Sequence, residues 1–338
     1  MSQCLPGLDL ATLREAQALV QAVVPATPQH RWPQLEQALA AAPGDGTALW
    51  VKHENHTPVG AFKVRGGLVW MDRLLRSGAR PAGLVSATRG NHGQSIALAG
   101  GRAGLPVLIV VPRGNSREKN AAMRALGAEL VEHGEDFQAA REQAQALAAQ
   151  RGWQMVPSFD LGLVAGVASY ALELFDAVAA AGTALDTVYV PIGLGSGACG
   201  LIAARDALGL ATQIVGVVSS GAPAYALSLA AGQPVSHAVS TTLADGMACR
   251  TPEPAALQML AGGLARVVQV SDAQVAAAMR QLFEATHQVA EGAGAAAWAA
   301  CLAERGQARH SPVGRRTAVV LSGGNVDREV YAEVLAGT

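Results

Sequence analysis

Lysine is scarce in this chain: Lys52, Lys63 and Lys119 are the only three among 25 basic residues. Any reaction that needs an amine therefore has three places to occur. Charge of either sign is sparse as well. Charged residues make up 15% of the chain and hydrophobic ones 50%, which leaves too little charge for a disordered polymer. The 25 basic and 26 acidic residues nearly cancel, and no basic block tracks a phosphate backbone, which argues against a nucleic-acid partner. Apolar runs such as 292–303 fall short of the ~20 residues that cross a bilayer, and the first basic residue is Arg14, so nothing marks export or membrane insertion. Cys4, Cys199, Cys249 and Cys301 are scattered without paired spacing. Neither a disulfide framework nor a zinc site is indicated, and a cytoplasmic protein with reduced thiols is expected.

The 338 residues suit two domains at ~100 to 200 residues each. After a helix-like opening, short apolar runs alternate with longer Ala-rich amphipathic stretches, the pattern of strands alternating with helices around mainly parallel sheets. Strands are predicted at 49–53, 84–87, 107–111, 128–131, 187–192, 213–218 and 316–321. Helices are predicted at 9–23, 62–76, 91–103, 116–126, 136–150, 163–180, 198–208 and 272–290. The strand and helix units between 76 and 159 form one set, so a small domain over 76–159 is expected to interrupt a large one formed by 1–75 and 160–338.

Four features carry chemistry. Lys63 follows Gly60-Ala61-Phe62 at a strand-to-helix junction, where a helix N-terminus and burial both favour the neutral amine that condenses with carbonyls. Alone, it would better suit a solvated helix start, while Lys52 in a strand and Lys119 in a charged stretch both read as surface residues. Gly193-Leu194-Gly195-Ser196-Gly197 sits between a strand and a helix and should turn free amides toward a phosphate. Gly195, Gly197 and Gly200 also spell the dinucleotide fingerprint. That fingerprint wants an acid at the end of the next strand, where this chain has Val218-Ser219-Ser220, so a monophosphate is the better fit. Third, Thr88-Arg89-Gly90-Asn91-His92 is a polar loop opening a helix, suited to a carboxylate or simply to an N-cap. Fourth, Ser322-Gly323-Gly324-Asn325 follows the last strand, where a plain turn is the ordinary explanation.

In this order, with Thr27-Pro28, Glu54-Asn55, Pro58, Phe62-Lys63-Val64-Arg65-Gly66, Ala244-Asp245-Gly246 and Glu291-Gly292-Ala293-Gly294, these features resemble the fold type II pyridoxal phosphate enzymes, tryptophan synthase β-like in fold. Within them the chain is most similar to the serine/threonine dehydratases. The resemblance implies an α/β fold of two domains, each with a mainly parallel sheet flanked by helices, with pyridoxal 5'-phosphate as cofactor. It also implies a homodimer acting on a small amino acid. By the same resemblance Lys63 carries the cofactor as a Schiff base and moves the α-proton, with Phe62 packed beside the ring. Asn91 bonds the ring hydroxyl, residues Gly193 to Gly197 cradle the phosphate, and Ser322 faces the pyridine nitrogen. Thr88, Arg89, Gly90, Asn91 and His92 would hold substrate, with Glu291 behind them.

The implied reaction is β-elimination of water from a β-hydroxy-α-amino acid, giving a 2-oxo acid and ammonia. The alternatives are a racemase or β-replacement synthase of the same fold, or a non-catalytic amino-acid or pyridoxal phosphate binding protein. Two departures bear on substrate. The family's usual Thr-Gly-Ser-Phe-Lys reads Val59-Gly60-Ala61-Phe62-Lys63 here, and Arg89 replaces a small residue. Arg89 either reads a second carboxylate, stacks on an aromatic ring, or points to solvent or an interface acid, so hydroxyaspartate-like and phenylserine-like substrates stand beside serine and threonine. The stretch 218–224 lacks the carboxylates of the metal site in some relatives, so no metal is expected there. The chain's end at Thr338 leaves no room for an appended regulatory domain.

Overall fold

The computed structural model describes residues 7–42, 44–307 and 313–337; Cys4 and Thr338 lie outside them. Ten strands fall into two sheets. One sheet has the order β1 (Gln29–Arg31), β2 (Ala48–His53), β10 (Arg316–Leu321), β7 (Thr187–Pro191), β8 (Gln213–Ser219) and β9 (Arg266–Val270). The other runs β5 (Glu129–Glu132), β4 (Val107–Val111), β3 (Leu84–Ala87) and β6 (Gln154–Met155). Every pairing is parallel except that of β1 with β2. The fold is therefore α/β, with two mainly parallel sheets flanked by helices, as predicted.

The central strands read as near-continuous apolar runs because helices cover both faces. β4, Val-Leu-Ile-Val-Val, is buried at every position. Helix starts follow local capping chemistry: Asp136 and Asp160 each accept a backbone N–H of the first turn, and Ser271 forms a capping box with Gln274. The last of these helices, Asp272–Thr286, stops short of the predicted residue 290 because His287 takes the left-handed conformation at φ 53°. Strands β1, β6 and β9 were not predicted. All three are edge strands, held by pairing on one side only.

The helix Leu161–Ala180 has the length and apolarity of a membrane span, which the sequence reading did not single out. It is mostly buried and packs against helices Leu10–Gln21, Lys63–Arg76 and Ser196–Ala207, so the core accounts for its composition. Cys199, Cys249 and Cys301 are free and buried.

The parallel strands β2, β10 and β7 end at one edge of the larger sheet. Their C-terminal loops lead to Lys63, Ser322 and Gly193, the place where open parallel sheets gather ligands.

Candidate active site

A cleft of about 1220 Å³ opens at this edge, and the residues expected to hold cofactor and substrate lie on its wall: Phe62 and Lys63, the loop from Thr88 to His92, the turn from Gly193 to Gly197, Glu291 and Ser322. A helical stretch with Phe137 and Arg141, and a segment with Thr241, Asp245 and Arg250, complete the wall. Of these residues only Asp245, in the motif Ala244-Asp245-Gly246, stood out in the sequence, because ordinary helix and loop residues acquire a role only from the surface they face.

Lys63 begins the helix Lys63–Arg76 just after Ala61 bridges to Gly323 and Phe62 N–H donates to Ser322 C=O at 3.1 Å. These bonds fix its chain to the end of β10. Its Nζ lies 4.8 Å from the centre of the Phe62 ring. Burial pulls the amine down to about 8, with the Glu291 carboxylate working against the shift.

The turn from Gly193 to Gly197 caps the helix Ser196–Ala207, and Gly195 there sits at φ +99°. Among the described residues, no backbone N–H from Gly193 to Ala198 donates to a protein acceptor. Those amides form a concave donor surface for an anion at a helix N-terminus. Behind them, Tyr170 and Tyr225 donate their hydroxyls to Gly197 C=O at 3.1 Å and Leu194 C=O at 2.9 Å, which holds the turn in place.

The loop after β3 is held from within. Thr88 Oγ1 accepts from the N–H groups of Gly90 at 2.9 Å and Gly93 at 3.2 Å. The amides of Arg89, Asn91 and His92 donate to nothing among the described residues, so this loop forms a second anion seat. Asn91 is gripped at both ends: its Nδ2 donates to Glu291 Oε1 at 2.6 Å and its Oδ1 accepts from Asn325 Nδ2 at 2.8 Å. The Asn325 amide also donates to Val59 C=O at 2.8 Å. His92 keeps a buried Nε2 with no partner among the described residues; burial, then the nearby Lys63 cation, push its ring down to about 3, so it is neutral at ordinary pH. Ser322 is buried at the cleft floor, its Oγ 3.4 Å from Ala293 C=O.

The surface readings of Lys52 and Lys119 are wrong. Lys52 lies on β2, which is flanked by β1 and β10 rather than being an edge. Its buried Nζ pairs with Glu173 at 2.7 Å and donates to Thr27 C=O at 2.7 Å. Lys119 sends its side chain inward from the helix Arg117–Ala125, 2.7 Å from Asp245 and 3.0 Å from Glu291. Those two carboxylates hold the ammonium well above the usual lysine range despite its burial. Glu291 is itself raised by burial, opposed chiefly by Lys119, and so links Asn91 to an ion pair.

Comparisons with known proteins bear on the family and the fold. A biosynthetic L-threonine dehydratase of Salmonella typhimurium is 34% identical over 280 residues, 82% of this chain and 53% of the relative. The chain thus spans about half the length of the first curated relatives it matches. A solved T.th. threonine deaminase superposes with a TM-score of 0.85 at 30% identity, covering 94% of this chain and 99% of that one. A solved pyridoxal 5'-phosphate-dependent aspartate racemase superposes with a TM-score of 0.86 at 26% identity, covering 95% and 97% of the two chains. Residues 21–323 match the family described as pyridoxal-phosphate dependent enzymes, and the chain belongs to that family.

Proposed function

We propose that the protein is a lyase that removes water from a β-hydroxy-α-amino acid, giving a 2-oxo acid and ammonia. The family's cofactor is pyridoxal 5'-phosphate, and the residues present fit it: the unpaired amides from Gly193 to Ala198 suit its phosphate, and Lys63 is an amine of lowered basicity on the same wall. When bound, the cofactor supplies an electron sink for the substrate's α-carbon. The observation that carries the proposal is that Lys63, pulled down to about 8, shares one cleft with two separate anion seats, one suited to a phosphate and one to an amino acid's carboxylate.

Each group on the wall then has a task. Lys63 holds the cofactor and, once released, takes the α-proton, for which an amine near neutrality is suited. The amides of Arg89, Asn91 and His92 would orient the α-carboxylate, and Asn91, fixed by Glu291 and Asn325, would bond the cofactor's hydroxyl. Ser322, a neutral side chain where a carboxylate would hold the ring nitrogen protonated, favours prompt loss of a β-substituent over a long-lived carbanion. The two sheets are taken as two domains, the smaller over 76–159, with the cleft between them.

The likeness to dehydratases and deaminases supports elimination, and the likeness to an aspartate racemase keeps racemisation as a second reading. The test is a panel of β-hydroxy amino acids of both configurations, assayed for 2-oxo acid, ammonia and the opposite enantiomer. Release of ammonia with 2-oxo acid is expected. Enantiomer without ammonia would establish the racemase, and no turnover of any member would overturn the lyase.

A further inference from the structure

We propose that Arg89 selects the substrate by its side chain, and that the side chain selected ends in a carboxylate, as in a 3-hydroxyaspartate. The proposal rests on the lyase reading of the cleft and narrows its substrate. Arg89 lies at the end of β3 on the cleft wall, half-buried. Its Nε is buried with no partner, and neither a hydrogen bond nor an ion pair engages its guanidinium among the described residues.

Three other buried cations are treated differently. Arg65 is bound by Glu54, Glu173, Ser169 and Thr27, Lys52 by Glu173, and Lys119 by Asp245 and Glu291. A buried N–H without an acceptor is costly, and such groups are almost always satisfied. Other buried polar atoms also lack a partner among the described residues, His92 Nε2 on the same wall included, but Arg89 Nε belongs to a permanent cation on a ligand cleft, which marks where an anionic acceptor arrives with the ligand.

No acid on the wall supplies that acceptor: Glu135 pairs with Arg113, Asp136 with Arg250, Asp245 and Glu291 with Lys119, and neither Glu142 nor Glu253 bonds to Arg89. The substrate's α-carboxylate does not need the guanidinium, because the loop's free amides already seat it. What remains for Arg89 is a second anion. An aromatic ring would cover the guanidinium face yet leave Nε–H unpaired, whereas a carboxylate accepts from Nε–H and a neighbouring N–H together. Arg141, exposed on the same wall and without an ion pair among the described residues, adds positive charge to this side.

The test uses the cofactor-loaded enzyme in wild-type, Arg89→Ala and Arg89→Lys forms. Succinate and butyrate have equal carbon counts and no amine, so neither can react at Lys63, and calorimetric titration reads their binding without turnover. Wild type should bind succinate about tenfold or more tighter than butyrate, Arg89→Ala should lose that preference, and Arg89→Lys, a charge without the fork, should keep part of it. In turnover, Arg89→Ala should reduce kcat/KM for 3-hydroxyaspartate about tenfold or more beyond its reduction for serine. A succinate preference that survives in Arg89→Ala, or equal losses on both substrates, would overturn the proposal. Failure of wild type to eliminate any hydroxy amino acid would overturn the lyase reading instead, and the succinate titration would still judge Arg89.

Discussion

Lys63 differs from a surface lysine because its amine is drawn into the protein while the carboxylate that acts on it, Glu291, is already committed to Lys119 and Asn91. Only the neutral amine attacks a carbonyl, so uptake of pyridoxal phosphate by the apoenzyme should accelerate with pH up to about 8 and level off above it. Stopped-flow absorbance between pH 6 and 10 reads this directly. A rate still climbing steeply near pH 10 would show an ordinary lysine.

The position of Lys63 was legible because glycine and phenylalanine mark its junction within a few residues. Lys52 and Lys119 were misread because nothing local reveals their partners: Glu173 is 121 residues from Lys52, and Asp245 is 126 from Lys119. Sequence pattern reports nearby periodicity, and an ion pair closed by tertiary folding leaves no trace in it. Asn325 stood in a recognised motif, yet its grip on Asn91 became visible only when the ends of β3 and β10 met.

Among the elements, the turn between β7 and the helix Ser196–Ala207 was readable for a physical reason. Glycines there do what no other residue can, and the strand and helix around them have strong patterns. Gly195 sits at φ +99°, and a Cβ on it would lie 2.9 Å from that of Ala256. Gly195→Ala should therefore cost about 1–3 kcal/mol of backbone strain and also weaken pyridoxal phosphate binding by disordering the donor amides. Urea unfolding and fluorescence titration measure the two effects. Loss of stability with unchanged cofactor affinity would mean the phosphate is held elsewhere.

The close passage of the helix Gly292–Gln307 past the end of β10 explains another glycine motif. A Cβ on Gly294 would fall 2.2 Å from Gly323 C=O, so the two segments approach backbone to backbone and bring Glu291 to the cleft. Two of the strands that escaped prediction are of another kind. β6 has two residues and β1 three, too few to show an alternation, and each exists because a longer neighbour offers it a free edge.

Across the whole molecule, the start of the Lys63 helix is anchored to the helix Leu161–Ala180 by a buried charge cluster. Arg65 binds Glu54 at 2.7 Å and Glu173 at 2.8 Å, and Lys52 binds Glu173 at 2.7 Å. Two cations face two anions, which burial tolerates only as a complete set. Arg65→Met leaves two carboxylates with one lysine and should destabilise the fold by about 3–5 kcal/mol, read as a lower urea midpoint. A change within ~0.5 kcal/mol, the range of an indifferent surface substitution, would show that the cluster does not hold the site together.

The loops of the two sheets meet at one cleft, and in the proposed site one lysine of three attaches the cofactor. Lys52 and Lys119 are each closed off by carboxylates, while Lys63 faces the cleft. Borohydride reduction of the cofactor-loaded enzyme, followed by peptide mapping, makes the attachment permanent and locates it. The account predicts the pyridoxyl label on Lys63 alone, and a label on Lys52 or Lys119, or none on any lysine, would contradict it.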